Sequence, residues 1–172
     1  MPLYALGSIE PRIDEGAYVH PEAVIIGDVE VASEASVWPH AVLRGDDGHI
    51  AVGPQTSVQD GAVLHCTYEL DTVIGARCTI GHLAHLEGCV VEDDALVGSG
   101  SIVLHRAVVG SGALVGAGAV VPNDAVVPPR AMALGVPARI REDAVDPATL
   151  EQSVSSYLAR SSRYRAELRR LD

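Results

Sequence analysis

Residues 91–132 read VEDDAL VGSGSI VLHRAV VGSGAL VGAGAV VPNDAV VPPRAM, one six-residue pattern repeated without interruption. Each unit opens with Val and carries Ala or Ser at its fifth position. A period of six is too short for a helical repeat, and it is typical of a β-helix in which each unit is one short strand and one corner. This stretch therefore predicts a solenoid of stacked strands.

The same pattern covers most of the chain. It begins at Ile13 and occurs nineteen times, always with Ile, Val or Leu as the opener. Leaving aside two units with insertions, the fifth position holds Ala in twelve of seventeen cases and otherwise Val29, Thr56, Cys78, Val90 or Ser101. We expect openers and fifth positions to point inward, while other positions alternate outward. Three units would close one triangular coil, which predicts an all-β, parallel β-helix.

The chain changes character after the repeat. We expect the β-helix domain to span residues 1–137, and residues 138–172 to form a linker and a C-terminal α-helix. Asp146 followed by Pro147 is typical of a helix start. Apolar residues then recur at steps close to three and four, and they predict an amphipathic helix that covers the β-helix flank or a neighbouring subunit: Leu150, Val154, Tyr157, Tyr164, Leu168 and Leu171, with Ser161 interrupting.

Composition excludes several classes of function. The chain has 172 residues, no Lys and a net charge of −11, so we expect no nucleic-acid partner because phosphates would be repelled. No apolar run approaches the about 18 residues of a membrane span. The three cysteines do not form the pattern of a secreted disulfide scaffold, and no signal peptide is evident, which predicts a cytoplasmic protein.

Candidate functional residues lie where the repeat departs from its own rule. The units opened by Leu43 and Leu64 carry insertions, and the unit opened by Leu86 is one residue short. Counting three units per coil places these openers on one face, together with Val103. The residue after each opener points outward, so we expect Arg44, His65 and Glu87 to form a column on this face. Neighbouring residues in the column should be about 4.8 Å apart.

His82 lies near the corner of the preceding face, and we expect it to point away from this column within one chain. In a threefold trimer, a second chain could bring its His82 to the pair formed by His65 and Glu87. Two imidazoles and a carboxylate are sufficient protein ligands for a catalytic Zn2+ with an open position, and they also suit non-haem Fe2+.

In order and spacing, the chain resembles the gamma-class carbonic anhydrases at six segments: Ser36-Val37-Trp38-Pro39, Arg44-Gly45-Asp46, Val58-Gln59-Asp60-Gly61, Leu64-His65, Ile80-Gly81-His82 and Gly88-Cys89. The resemblance implies a left-handed β-helix, a homotrimer with metal at the subunit interfaces, and hydration of CO2 to bicarbonate. It implies that His65 and His82 bind the metal, His82 from the neighbouring subunit. It also implies that Arg44 and Asp46 form an ion pair at the interface. Gln59 would hydrogen-bond the metal-bound water or bicarbonate, and Asp60 would be a polar partner at the same interface.

Glu87 stands where the resembled family has its third metal histidine. Three hypotheses follow: Glu87 ligates the metal, His85 on the other side of Leu86 ligates it instead, or no tight metal binds and Glu87 pairs across the interface. A carboxylate lowers the charge of the site by one unit relative to imidazole, so a metal-bound water would ionise less readily. We therefore expect weak or alkaline-shifted hydratase activity.

The histidines outside the predicted metal site have two expected roles. His49 or His85 could carry protons, whereas His20, His40 and His105 are expected to be corner residues without a partner in the column.

Other β-helix proteins of this repeat type transfer acyl groups from coenzyme A with a histidine base, and a catalytically silent scaffold or metal-carrying trimer is a third class. Because the chain has no long excursion loop, carbonic anhydrase-like hydration is the main hypothesis and acyl transfer the alternative.

Overall fold

The computed structural model describes residues 2–172, and in these residues it contains twenty strands and one helix. The strands pair in parallel except for the last one, which is antiparallel to its predecessor. The predicted left-handed parallel β-helix with a C-terminal α-helix is confirmed. The strands are β1 (Leu3–Tyr4), β2 (Arg12–Ile13), β3 (Tyr18–Val19), β4 (Val24–Val31), β5 (Ser36–Val37), β6 (Val42–Val52), β7 (Ser57–Val58), β8 (Val63–His65), β9 (Thr72–Ile74), β10 (Thr79–Ile80), β11 (His85–Glu87), β12 (Val90–Val91), β13 (Leu96–Val97), β14 (Ile102–Val103), β15 (Val108–Val109), β16 (Leu114–Val115), β17 (Val120–Val121), β18 (Val126–Val127), β19 (Met132–Leu134) and β20 (Arg139–Arg141).

The strands form three faces of a prism. The site face consists of the first half of β4 and of β6, followed by β8, β11, β14 and β17. The side face contains β2, the second half of β4 and of β6, and then β9, β12, β15 and β18. The helix face is β3, β5, β7, β10, β13, β16 and β19, with β20 beside β19 in the segment predicted as a linker.

The openers of the repeat form the core. Seventeen of the nineteen, from Ile25 to Val127, are at most 1% exposed, whereas Ile13 and Val19 at the N-terminal end are half-buried. On the site face, Leu43, Leu64 and Leu86 are in register. The insertions therefore leave the stacking of the core undisturbed, and the predicted count of three units per coil is confirmed.

One predicted inward residue points the other way. Val90 is 37% exposed, and Cys89 is buried in its place at 1% exposure. The unit opened by Leu86 lacks one residue at its corner, so Cys89 reaches the interior one step early. Because inward and outward positions alternate along a strand, Val90 before the next opener must then face out.

The corners have a recurring backbone conformation that the sequence does not reveal. In most units the fourth residue has positive φ, and nine of these residues within the described chain are not glycine: Glu34, His40, Gln55, Arg77, Leu83, Asp94, Arg106, Asp124 and Arg130. Gly61, Gly100, Gly112 and Gly118 occupy the same position in other units. A left-handed conformation costs a non-glycine residue about 1 kcal/mol or more, a cost that the stacking of the coils must offset.

The helix α1 (Pro147–Glu167) packs against the helix face through β3, β5 and β10. Asp146 is its N-cap as predicted, since the carboxylate accepts a hydrogen bond of 3.0 Å from the backbone N–H of Ala148. The predicted docking on a flank of the β-helix is confirmed, but the apolar stripe is shorter than predicted. Leu168 and Leu171 follow the helix and are 48% and 83% exposed.

The contact between helix and prism is aromatic. Tyr157 and Tyr164 approach Trp38 edge-on, with ring centroids 5.4 Å and 5.1 Å away. Trp38 is 4% exposed and donates its indole N–H to Ser36. Within residues 2–172, no helix has both the length and the hydropathy needed to cross a membrane.

Candidate functional site

The predicted column exists on the site face. The register of β6, β8 and β11 places Arg44 beside His65, and His65 beside Glu87. The openers that precede them are fully buried, so the alternation along each strand turns these three side chains outward. The prediction that His65 and Glu87 are adjacent is therefore confirmed.

His65 lies between two carboxylates. Its Nδ1 is 3.2 Å from Glu87 Oε1, and its Nε2 is 3.1 Å from Asp46 Oδ1. The side chain is only 15% exposed. A neutral imidazole donates through one nitrogen only, so both carboxylates receive a hydrogen bond when the ring carries two protons. His65 thus connects the two carboxylates in one polar row.

Asp46 connects this row to Arg44, which donates a hydrogen bond to its carboxylate. Burial raises the pKa of Asp46, but the hydrogen bonds from Arg44, from its own backbone N–H and from His65 outweigh burial and hold the pKa below its usual range. The ion pair implied for an interface thus forms within one chain. It depends on Gly45 between the two residues, because a Cβ there would lie 2.4 Å from the carbonyl oxygen of Asp28.

Glu87 lies against three imidazoles. Besides His65, the Nε2 of His85 is 3.1 Å from Oε2, and the Nε2 of His105 is 3.4 Å from Oε1. Burial raises the pKa of Glu87, but the neighbouring imidazoles of His105, His85 and His65 outweigh burial and lower it. The carboxylate is therefore ionised at neutral pH.

The expectation that His105 has no partner at this column is wrong. Its ring leans over the shortened corner at Gly88, where an added Cβ would lie 3.1 Å from His105 Cδ2. Gly88 has a φ of 58°, a conformation that glycine adopts without strain. The missing residue and this glycine were the sequence signals that could have placed His105 beside Glu87.

His85 is anchored on one side only. Its Nε2 is hydrogen-bonded to Glu87, whereas within residues 2–172 the structure gives Nδ1 no hydrogen bond. The side chain is 37% exposed. An imidazole oriented by a carboxylate, with its other nitrogen available, has the arrangement of a general base. His49 is not part of this cluster, since its Nδ1 lies 3.1 Å from Asp28 Oδ1.

His82 lies on the helix face, apart from the column. Its Nδ1 is 2.9 Å from Asp60 Oδ2, and its Nε2 is 3.3 Å from the hydroxyl of Tyr157. Gln59 beside Asp60 is buried at 4% exposure. The roles implied for His82, Gln59 and Asp60 at a metal shared between chains stay predictions.

One chain does not supply the predicted metal site by itself. Among residues 2–172, no group of three His, Cys, Asp or Glu side chains converges as a set of metal ligands. Both nitrogens of His65 already face carboxylates, so a metal would have to displace Glu87 or Asp46 from that ring. The zinc or iron prediction therefore depends on His82 of a second chain and on a rearrangement around His65.

The cysteines do not offer a nucleophile. Cys66, Cys78 and Cys89 are free and buried. Burial raises the pKa of Cys78 and of Cys89 to about 12, and it also raises the pKa of Cys66 beside the column. A thiol that stays protonated reacts poorly, so the chemistry of the site falls to its histidines and carboxylates.

Known proteins resemble this chain within the repeat and over most of its length. Residues 88–123 match the family model "Bacterial transferase hexapeptide (six repeats)". The carnitine operon protein CaiE of Escherichia coli strain K12 is 38% identical over 146 residues, which are 85% of this chain and 74% of that protein. CaiE of Citrobacter koseri is 39% identical over the same shares of the two chains.

Two solved structures share nearly the whole architecture. A "putative acetyltransferase" of Bacillus cereus has a TM-score of 0.93 at 32% identity, over 96% of this chain and 98% of that one. A hexapeptide transferase family protein of Anaplasma phagocytophilum has a TM-score of 0.91 at 36% identity, over 95% and 98% of the two chains. The common architecture therefore includes the C-terminal helix as well as the repeat.

Proposed function

Because this chain belongs to the hexapeptide-repeat family that includes the bacterial CaiE proteins, we propose that it is an acyltransferase-like enzyme in which Glu87 orients His85 as the general base. The observation that carries this proposal is the hydrogen bond of 3.1 Å between His85 Nε2 and Glu87 Oε2, with Nδ1 of the same ring left available. The transferase names of structural relatives support this reaction class over the hydration of CO2 that was the main hypothesis from the sequence.

The reaction follows from the protonation states of this pair. The carboxylate of Glu87 is ionised and accepts the proton on Nε2, which leaves the lone pair on His85 Nδ1. Nδ1 takes the proton of an acceptor hydroxyl, amine or water as that group attacks the thioester carbonyl of an acyl-coenzyme A. The new bond to the acyl carbon forms, the carbon–sulfur bond breaks, and the thiolate takes the proton back from the imidazolium. Glu87 stabilises the imidazolium between these steps.

His65 serves a different purpose in this scheme. Both of its nitrogens face carboxylates, which can only accept, so when both hydrogen bonds are made the ring already carries two protons and has no lone pair with which to act as a base. It instead fixes the position of Glu87, which in turn fixes His85. His105, 3.4 Å from the same carboxylate, adds a further positive neighbour when protonated.

The proposal places this site at the interface of a homotrimer. His85 stands in an outward-facing column between Val63 and Ile102, its partners in the register of β8 and β14. Val63 and Ile102 are apolar, and they lie beside the polar column of Arg44, His65 and Glu87. Such a surface is suited to contact with another chain, and that contact would exclude water from the base. Light scattering on the purified protein tests this part of the proposal, and a monomer at micromolar concentration contradicts it.

The activity is tested by release of the coenzyme A thiol from acetyl-coenzyme A, with and without amine and hydroxyl acceptors. His85→Ala is expected to lower the rate by about 100-fold or more, because the general base is lost. His40→Asn is the matched control, since His40 is an exposed corner histidine and Asn tolerates its positive φ. Equal rates for the wild type and His85→Ala contradict the proposal.

Metal-dependent hydration of CO2 is the second candidate function. It is favoured by the register that sets His65 beside Glu87, with His82 outside the column and accessible to a second chain. A zinc content near one per chain, with CO2 hydration in stopped flow that His65→Ala abolishes, would support it over acyl transfer. Absence of both activities in a stable trimer would leave the scaffold hypothesis.

A further inference from the structure

We infer that His105 is a positioning residue for the proposed base His85, and that it acts through Glu87. The inference rests on the proposed function, because it concerns how the carboxylate of Glu87 is directed at that base. It also gives a purpose to the shortened unit opened by Leu86, a departure from the repeat that the proposed reaction alone does not explain.

The two oxygens of Glu87 have different neighbours. Oε1 lies 3.2 Å from Nδ1 of His65 and 3.4 Å from Nε2 of His105, and these two histidines come from the coils on either side. Oε2 lies 3.1 Å from Nε2 of His85. Contacts at Oε1 from both sides restrict rotation of the carboxylate, and they leave Oε2 directed at the base.

His105 has an unused hydrogen-bonding group at this place. Its Nε2 is buried, and among residues 2–172 it makes no hydrogen bond. Buried polar groups are paired in nearly all cases, so one that faces a carboxylate oxygen at 3.4 Å requires an explanation. Hydrogen bonds in catalytic sites are often long before substrate binds and shorten in the working complex. We expect the Nε2–H of His105 to donate to Glu87 in that complex.

The short corner makes this contact possible. The register of β11 and β14 pairs Leu86 with Val103, so His105 stands over Gly88 on the next coil. An added Cβ at Gly88 would lie 3.1 Å from His105 Cδ2 and 2.9 Å from Leu70 Cβ. The ring of His105 therefore occupies space that a side chain at this corner would fill.

The backbone around His105 is fixed as well. Its carbonyl oxygen accepts a hydrogen bond of 3.0 Å from the N–H of Asp124, and the N–H of Arg106 donates to the carbonyl oxygen of Gly88 over 2.7 Å. The guanidinium of Arg106 also donates to Asp124 over 2.6 Å. These bonds tie the corner to the coils on both sides, so the ring approaches Glu87 from a fixed backbone.

Two substitutions of similar size separate the donor from the bulk of the ring. His105→Gln keeps an N–H donor that can reach Glu87, whereas His105→Leu fills the same space without a donor. If acetyl-coenzyme A turnover is observed, His105→Leu should lower kcat about tenfold with little change in KM, because a misplaced base is costly while substrate binding is kept. His105→Gln should recover most of this loss. Equal kcat in the wild type and His105→Leu, or equal losses in the two variants, overturns the inference.

The tautomer of His85 gives a readout that requires no activity. Two-bond proton–nitrogen correlation spectra of the full-length protein resolve histidine nitrogens at mildly alkaline pH, and His85→Gln assigns the signals. We expect the proton of His85 on Nε2 in the wild type and in His105→Gln, and a mixture of tautomers in His105→Leu. An unchanged His85 in His105→Leu contradicts the positioning role.

Asn123→Ala is the matched control. Asn123 occupies the position of His105 one coil further along, since Val103 pairs with Val121, and it is exposed. Its kcat and its His85 spectrum should equal those of the wild type, and the changes expected for His105→Leu would overturn the inference if they occurred here.

The same measurements separate this inference from the proposed function. A changed His85 tautomer in His105→Leu, in a protein that shows no acyl transfer, confirms the positioning contact and removes the proposed function. Turnover that His85→Ala abolishes and His105→Leu leaves unchanged removes the positioning role and retains the function.

Discussion

His65 and Glu87 lie on neighbouring rungs of the β-helix, and their side chains approach to 3.2 Å. The resembled carbonic anhydrases have a histidine at the second of these positions, where two neutral imidazoles would both be free to bind a metal. Here a carboxylate stands in that place, where it is within hydrogen-bonding distance of His65 and close to His85 and His105 as well. A single side chain thus changes which chemistry the column favours.

Replacing Glu87 with Gln tests the contribution of the Glu87 carboxylate to stability. The pKa of Glu87 lies below its ordinary value of 4.5, so its stabilising contribution is present above that pH and is lost as the pH falls through and below it. At neutral pH, Glu87→Gln should lower the free energy of unfolding by about 1 kcal/mol. The difference from the wild type should shrink at acid pH in urea titrations. The exposed Glu69→Gln is the control, and a difference that does not vary with pH would refute the prediction.

Replacing Glu87 with His should increase zinc binding. The substitution removes the carboxylate from Nδ1 of His65 and supplies a neutral ligand in its place. Glu87→Ala is the matched control, because it also frees His65 but adds no ligand. Zinc per chain after dialysis, measured by mass spectrometry, should be highest in Glu87→His. Equal zinc in the two variants would show that this position is not a ligand position.

Because the corner residues have positive φ, we expect replacement of a corner glycine to lower the stability of the protein. Gly118 has a φ of 67°, and no atom of residues 2–172 lies within 4 Å of an added Cβ. Gly118→Ala should therefore lose about 1 kcal/mol of stability through the backbone alone. Gly118→Asn should lose less, since Asn tolerates this conformation. Thermal or urea unfolding measures both variants, and equal losses would contradict the backbone explanation.

Trp38 is predicted to hold the helix on the prism. Trp38→Ala removes the ring on which Tyr157 and Tyr164 pack, and it should cost about 3 kcal/mol. Trypsin should then cleave α1 at Arg160 and Arg163 faster than in the wild type. Trp38→Phe retains an aromatic surface and should be cleaved more slowly than Trp38→Ala. Equal cleavage of wild type and Trp38→Ala would show that other contacts hold the helix.

The fold and the column followed from the repeat because a β-helix applies one local rule many times. Every opener has to reach the interior, so the count of openers fixes which residues stack, even where insertions interrupt the pattern. That count alone placed His65 beside Glu87, and the resemblance to a known family added roles for His82, Gln59 and Asp60. The partners of these residues were less accessible to the sequence, since they depend on side chains from other coils.

By itself, then, the sequence determined the core, the register and the face that carries the candidate site, because alternation and a period of six leave the backbone no other way to bury its aliphatic residues. Only the tertiary structure decided that His105 leans across the short corner onto Glu87, that Cys89 replaces Val90 in the core, and that Tyr157 reaches His82. These contacts depend on how each corner bends and where the helix docks. Since nine corners in the described part of the chain place a residue other than glycine at positive φ, residue type gives little sign of those bends.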